Sequence, residues 1–501
     1  MAAGWLTLAA VGFLMAGAPD RADPFSAVRE RIVRLIAEKT IPSLSLAVVE
    51  DGAIVWEEAF GLADLEKKVA ATTGTLYPVA SVTKPFTATA VMILAERGLV
   101  DLDRPANAYL EGAKLRAREG DASGATVGRI LRHTAGLPMF WSFYYEGSPR
   151  RRPPLETTLK RYGILVSGPG NVYDYSNLGY AVLESIIERV SGKPYAEFLA
   201  AEVFGPLGMS GTAVIAEPPG RPGVAVKYGP ALAPVPFCDH DTRGASAVHS
   251  TAHDLALFLL LHLGRLGPGQ KAILAPASVV AMRASRDPDV RSSSYALGWE
   301  TGTRHGYPIV THGGIMDGCR AHLAMIPSEG LGVAVLINGE NVPSIQVCDG
   351  IFAALLPDYA RRLGGAPAGG LPPPPPSVFA PPAALIGAWE GAVVTHEGEI
   401  SVRLVVGADG RAELTRMGPD GAPGAALSPL KTPTADRGVF VVHFPQAFAT
   451  SDAPGPGQRT VLRLRAGPDG LRGEALTIAA DGSYALPSFV KLERAAPRPK
   501  S

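Results

Sequence analysis

Serine and lysine stand three residues apart in Tyr77-Pro-Val-Ala-Ser-Val-Thr-Lys-Pro-Phe-Thr87, at Ser81 and Lys84. On a helix, positions i and i+3 share a face, so the Lys84 amine can lie beside the Ser81 hydroxyl. A serine attacks a carbonyl only when a neighbouring base takes its proton. A lysine near a helix N-terminus and other cations gives up its own proton more readily. The spacing alone is weak evidence, because Ser428-Pro-Leu-Lys431 repeats it. Two more segments supply matching chemistry. Tyr173-Asp-Tyr-Ser-Asn-Leu-Gly-Tyr180 offers Tyr175 and Asn177, a phenol and a carboxamide. A lysine cation nearby would lower the phenol's pKa and fit it for acid or base work. Thr311-His-Gly-Gly-Ile315 reads as the beginning of a strand, with two glycines where backbone must come close to a ligand. Taken singly, a loop tyrosine and an ordinary bulge explain these segments equally well.

Other polar groupings point less well to chemistry. His249 and His253 stand four apart on an expected helix, a metal-ligand spacing, but the Glu of His-Glu-x-x-His and a third ligand are missing. Cys238-Asp-His240 has the residue types of a thiol hydrolase without its pattern. No Gly-x-Ser-x-Gly elbow occurs, which disfavours an α/β-hydrolase. Lys431-Thr-Pro433 places proline where a strand motif needs glycine. No metal or organic cofactor is expected.

The elements that must position these residues follow from periodicity and punctuation. Asp23-Pro24 reads as a helix start, followed by one apolar face through Phe25, Val28, Ile32, Leu35 and Ile36. Residues 43–49 and 53–59 read as strands turning at Asp51-Gly52. A helix from about Ser81 to Arg97 stops at Gly98, and Leu255–Leu261 reads as a core helix. Strands return from Ile309, at 321–326 and 332–337, before a helix around 344–356. Strands at both ends with helices between predict an antiparallel sheet holding a helical insertion, an α+β arrangement. Five consecutive prolines, Pro372–Pro376, mark 364–382 as a stiff spacer. Beyond it, strand-like runs at 401–406, 411–415, 438–444, 460–464 and 474–478 predict a separate all-β, barrel-like domain over 383–496.

The chain has 501 residues, with 47 basic and 47 acidic side chains. This balance gives no electrostatic reason to bind nucleic acid or an anionic membrane. Its 57 glycines and 45 prolines make about a fifth of the chain, against a usual share of about 12%, which argues against a long helical bundle. Three cysteines are too few for a disulfide scaffold. The uncharged run Trp5–Ala18 is too short for a bilayer span and suits a signal peptide ending near Ala16-Gly-Ala18. The expectation is therefore an exported protein, periplasmic or extracellular, with a signal peptide over 1–22, no transmembrane span and a hydrolase domain over 23–363.

Ser81-Val-Thr-Lys84, Tyr175-Ser-Asn177 and His312-Gly-Gly314, in this order, resemble the three motifs of the serine β-lactamase and penicillin-binding-protein superfamily. The resemblance points to its branch of class C β-lactamases, D-Ala-D-Ala carboxypeptidases and esterases. Supporting stretches are Leu131-Arg-His-Thr-Ala-Gly-Leu-Pro138, Phe204-Gly-Pro-Leu-Gly-Met209, Ser250-Thr-Ala-His-Asp254 and Tyr295-Ala-Leu-Gly-Trp299. The likeness covers roughly residues 25 to 360. It implies that Ser81 is the acylated nucleophile and that Lys84 and Tyr175 share its proton, later activating the deacylating water. Asn177 would bind Lys84 and the substrate amide. The backbone N–H groups of Ser81 and Ile315, directly after His312, Gly313 and Gly314, would form the oxyanion hole. Such donors are each worth about 3 kcal/mol at the transition state.

The departures bear on substrate. Class C β-lactamases carry Lys-Thr-Gly where this chain has His312-Gly-Gly314, so the expected grip on a carboxylate is weaker. Cys319 falls where the family often has an aromatic residue. The resemblance therefore favours small D-amino-acid peptides or esters, possible peptidoglycan fragments among them. Hydrolysis of β-lactam rings is the alternative, and a non-catalytic sensor of peptidoglycan-like ligands the third reading. The opening of the β domain, Leu385-Ile-Gly-Ala-Trp-Glu-Gly391, resembles lipocalin-like domains appended to some members of this branch.

Overall fold

The computed structural model describes residues 23–495, apart from 219–222, 285–286, 288, 291–293, 365–378, 437, 446–447 and 449. The signal-peptide segment and most of the proline-rich spacer lie outside the described residues.

Seven strands form one antiparallel sheet, in the order Glu300–Arg304, Tyr307–Met316, Cys319–Ile326, Leu331–Ile337, Ser43–Glu50, Ala53–Asp64 and Val69–Ala70. The N-terminal hairpin thus pairs with strands from the far end of the unit, Leu44 opposite Ile337 and Glu50 opposite Leu331. Asp51 and Gly52 both take left-handed φ, 50° and 89°, as a tight hairpin turn requires. Alternation along each strand sends side chains to two cores. Leu44, Leu46, Val48, Val333 and Val335 face the helices Ser26–Ala37 and Ser344–Leu355. Ala47, Val49, Ala334 and Leu336 face the helical layer built on Thr83–Glu96, Asn177–Ser191 and Ala252–Leu263. Leu331–Ile337 is buried along its whole length because both faces are covered. No helix among the described residues is long and apolar enough to cross a membrane.

Several element boundaries differ from the sequence reading. The first helix begins at Ser26, and Asp23 folds back to accept the Phe25 N–H at 3.0 Å instead of capping it. His249 lies on the strand Val248–Ser250 and His253 on the next helix, so they do not share a helical face. The Thr311–Ile315 segment occupies the second half of a strand that begins at Tyr307.

The C-terminal unit is a continuous antiparallel path of nine strands, with Gly387–Val394 and Tyr484–Arg494 paired at its middle. The strands curl around one core containing Trp389, Leu404, Phe440, Phe444, Leu464 and Leu492. The path runs from Pro423–Leu427 to Thr434–Asp436, which are not paired to each other among the described residues, so the barrel-like sheet is open there. Residues 423–427 and 484–494 escaped sequence recognition. The first is built of Pro, Gly and Ala, and the second carries Pro487 in its interior. The two units share strand pairing: Trp141–Tyr145 of the N-terminal unit pairs with Tyr484–Arg494, placing Ser142 opposite Tyr484.

Candidate active site

Ser81 lies on a single 3-10 turn, Ala80–Val82, which runs directly into the helix Thr83–Glu96. Pro85 fits in the first turn of that helix, where its missing N–H costs no hydrogen bond. Ala80, immediately before the serine, is held at φ 47°, a left-handed conformation costing about 1 kcal/mol in a residue with a Cβ. Strain of this kind persists only where surrounding structure enforces it. The helix is buried from Thr83 to Leu94, so Lys84 is completely enclosed while Ser81 stays partly open.

Three oxygen atoms surround the Lys84 amine. Nζ lies 3.1 Å from Ser81 Oγ, 2.8 Å from Asn177 Oδ1 and 3.2 Å from the Ala245 carbonyl. The amide of Asn177 has one orientation, because its Nδ2 donates to the Phe140 carbonyl at 2.8 Å. Asn177 Oδ1 and the Ala245 carbonyl are acceptors only, and they take the two N–H bonds of a neutral amine. In the neutral form that a general base needs, the remaining lone pair is the one directed at the Ser81 hydroxyl. Burial holds the Lys84 pKa well below the usual lysine range, and the opposing field of Glu300 is the smaller effect.

Tyr175 and Asn177 straddle the start of the helix Asn177–Ser191, whose N-cap is Ser176. Ser176 Oγ accepts the Gly179 N–H at 3.0 Å and donates to the Pro138 carbonyl at 2.7 Å. His133 holds the same segment from beneath. Its carbonyl accepts the Asp174 N–H at 2.9 Å and its Nδ1 accepts the Ser176 N–H at 3.1 Å. Its ring lies 4.3 Å from that of Tyr175. The Tyr175 ring is 4.7 Å from Lys84 Nζ. Burial raises the Tyr175 pKa well above the usual phenol value, and its interaction with the Ser81 side chain only partly offsets this. The sequence expectation of a lowered phenol pKa is therefore reversed, because burial of the phenol outweighs what its polar neighbours contribute.

The His312 strand closes the opposite wall. A Cβ on Gly314 would sit 2.1 Å from the Val79 carbonyl, so glycine is what lets this strand press against the segment leading into Ser81. Gly313 carries no such demand, its nearest neighbour being the His322 ring at 3.4 Å. Pairing with Glu300–Arg304 stops at Thr311, which leaves that edge of residues 312–316 unpaired by this strand. Ile315 projects outward, 72% exposed. His312 turns inward. Its Nδ1 donates to the Gly313 carbonyl at 2.9 Å and its Nε2 accepts from the Tyr295 hydroxyl at 2.8 Å. Burial first, and then the field of Lys84, push its pKa down to about 3. Both ring nitrogens are used within the protein, so the His312 side chain, expected among the substrate-binding groups, presents neither a cation nor a free donor to a ligand.

The structure thus gathers Ser81, Lys84, Tyr175 and Asn177 around one amine and brings the strand of His312, Gly313, Gly314 and Ile315 alongside. The sequence reading assigned no role to His133, Tyr295 or the carbonyls of Phe140 and Ala245. His133 and Tyr295 stood within quoted motifs, but backbone carbonyls carry no side-chain signal. The demoted groupings stay apart. His253 Nδ1 faces Glu57 at 3.1 Å, and the Cys238 thiol accepts from Lys227 at 3.3 Å. No group of three or more His, Cys, Asp or Glu arranged for a metal ion occurs among the described residues.

Comparison with known proteins accords with this geometry. The β-lactamase family pattern matches residues 28–351. The unguisins hydrolase ungD' of Aspergillus campestris is 30% identical over 341 residues, covering 64% of this chain and 62% of that longer protein. Penicillin-binding protein 4 of Amycolatopsis lactamdurans is 30% identical over 370 residues, covering 71% of this chain and 92% of the relative. The crystal structure of SurE superposes with a TM-score of 0.62 at 25% identity, covering 92% of this chain and 99% of that one, a span that takes in the C-terminal unit. The chain belongs to the β-lactamase family and is a serine hydrolase.

Proposed function

We propose that this member of the family is an exported hydrolase that cleaves small amides or esters, D-amino-acid peptides or esters foremost, through an acyl-enzyme on Ser81. The observation carrying this reading is the enclosed amine of Lys84, whose Nζ is held by Asn177 Oδ1 and the Ala245 carbonyl at 3.1 Å from Ser81 Oγ. In acylation, Ser81 Oγ attacks the carbonyl carbon and its proton passes to Lys84 Nζ. The N–H groups of Ser81 and Ile315 hold the oxyanion. Collapse breaks the bond to the leaving group, which departs with a proton relayed through Lys84 and Tyr175. The same pair then takes a proton from the water that attacks the ester, and Ser81 leaves protonated.

The neutral His312 supports the substrate class proposed here. With no cation at that strand position, a substrate carboxylate finds little to bind there. This supports esters and short D-amino-acid amides, peptidoglycan-derived ones included, over β-lactams. The reading of export rests on the apolar run Trp5–Ala18; an N-terminus processed near Ala18 in the secreted fraction is the corresponding result.

The test is an intact-mass time course of the purified chain and Ser81→Ala, with 4-nitrophenyl butyrate, an N-acyl-D-Ala-D-Ala peptide amidated at its C-terminus and benzylpenicillin in separate tubes. The expected result is Ser81-dependent turnover of the ester or peptide, with benzylpenicillin giving at most a persistent adduct. Loss of the drug without an adduct would move the assignment to β-lactamase. Neither turnover nor adduct with any probe would leave a non-catalytic binder.

A further inference from the structure

The Tyr175 segment is gripped a second time, from the C-terminal β unit. Arg465 donates through both terminal nitrogens to Asp174, at 2.9 Å to Oδ2 and 2.7 Å to Oδ1. This is the two-pronged geometry in which a guanidinium fixes a carboxylate in orientation as well as distance. Asp174 is the residue immediately before Tyr175 and is only 5% exposed. Arg463, two residues along the same strand, lies 3.7 Å from Asp174 Oδ1 and also pairs with the buried carboxylate of Glu474. Glu474 in turn accepts the backbone N–H of Met139 at 3.1 Å. The next residue, Phe140, supplies the carbonyl that orients Asn177 toward Lys84. The strand continuing from there is sewn to the β unit. Phe143 N–H donates to the Ser483 carbonyl at 2.8 Å, and Trp141 Nε1 to the Gly482 carbonyl at 2.9 Å.

Two arginines and two buried carboxylates therefore form a charge-balanced cluster across the boundary between the units. One arm leads through Asp174 to Tyr175. The other leads through Glu474, Met139 and Phe140 to Asn177. We propose that the β unit is a working part of the active site, in which Arg465, supported by Arg463 and Glu474, is a positioning residue that fixes Tyr175 through Asp174. The proposal rests on the role given to Tyr175 above. It assigns the appended unit a task in the hydrolase reaction other than holding a ligand of its own. Displacing a reacting group by about 1 Å costs on the order of 100-fold in rate, so a clamp of this kind acts on kcat more than on KM.

The test is a double-mutant cycle on the full chain with 4-nitrophenyl butyrate, using Arg465→Ala, Tyr175→Phe and the double variant. Arg465→Ala should lower kcat about 10- to 100-fold with KM changed less than about threefold. In the Tyr175→Phe background the same substitution should cost less than about threefold, because the group it positions is already gone. Arg465→Lys, which keeps charge but loses the fork, should fall between Arg465→Ala and the unaltered protein, and it carries the same cycle if Arg465→Ala does not fold. An equal loss in both backgrounds, or no loss in either, would overturn the clamp while leaving the role of Tyr175 intact. Unchanged activity in Tyr175→Phe alone would instead overturn the role of Tyr175, and the clamp with it.

Discussion

Two segments of this chain carry serine three residues before lysine, and they share little beyond that spacing. Ser81 and Lys84 lie on a 3-10 turn running into a buried helix, with the amine enclosed and held by Asn177 and Ala245. Ser428 and Lys431 lie in the irregular stretch after Pro423–Leu427, both exposed, beside a Leu430 that is itself 56% exposed. Helical geometry puts the first pair on one face; no regular structure does so for the second. Burial lowers the Lys84 pKa, whereas Lys431 lies at an exposed position with no such enclosure. The spacing becomes chemistry only when an element fixes the two side chains and a low-dielectric site removes the charge.

The largest expected contrast is between the two serines. Ser81→Ala should lower kcat/KM on 4-nitrophenyl butyrate by roughly 10³-fold or more, the order seen when a nucleophile is removed. Ser428→Ala should leave it within about twofold. A comparable loss in both would break the comparison. The lysines come next. Lys84→Gln should cost about 10²- to 10⁴-fold, the range of a lost general base, while Lys431→Gln changes nothing measurable. The pH profile sharpens this. Only the free amine accepts the serine proton, so activity should fall as pH is lowered through the Lys84 pKa. Because burial depresses that pKa, the acid limb should lie well below the ordinary lysine range. A rate still climbing toward pH 10 would contradict the burial argument.

The smallest effect concerns what burial does to charge in the same helical layer. Glu184 is enclosed and accepts the Gly244 N–H at 2.7 Å, one residue before the carbonyl that holds Lys84. Burial raises its pKa from 4.5 to about 8. The folded chain then keeps a proton that the unfolded chain has released, so stability declines as pH rises across that window. Glu184→Gln retains the acceptor and removes the cost. It should stabilise the protein by about 1–3 kcal/mol at pH 9 and very little at pH 4, read from urea unfolding at both. An equal effect at both pH values would show that charge is not its origin.

Much of the hydrolase unit was legible because its signals are local. The Asp51-Gly52 turn, the strands around 43–49 and 321–337, and the helices at 252–263 and 344–355 each follow from period and punctuation. The motif spacings picked out Ser81, Lys84, Tyr175 and Asn177. What stayed hidden depends on contacts distant in sequence. The Ala245 and Phe140 carbonyls are backbone atoms that any residue could offer. The inward turn of His312 requires Tyr295 opposite it. Arg465 meets Asp174 across 291 residues, and no periodicity encodes that meeting. Tyr484–Arg494 was obscured by Pro487, yet this strand joins the two units.

The most direct test of the account is to locate the acyl group. The purified chain would be quenched in acid during turnover of 4-nitrophenyl butyrate, digested, and the modified peptide sequenced by mass spectrometry. The account predicts a butyryl group on Ser81, present in the unaltered protein and absent from Ser81→Ala. Acylation at Ser428 or any other residue, with turnover surviving in Ser81→Ala, would contradict it.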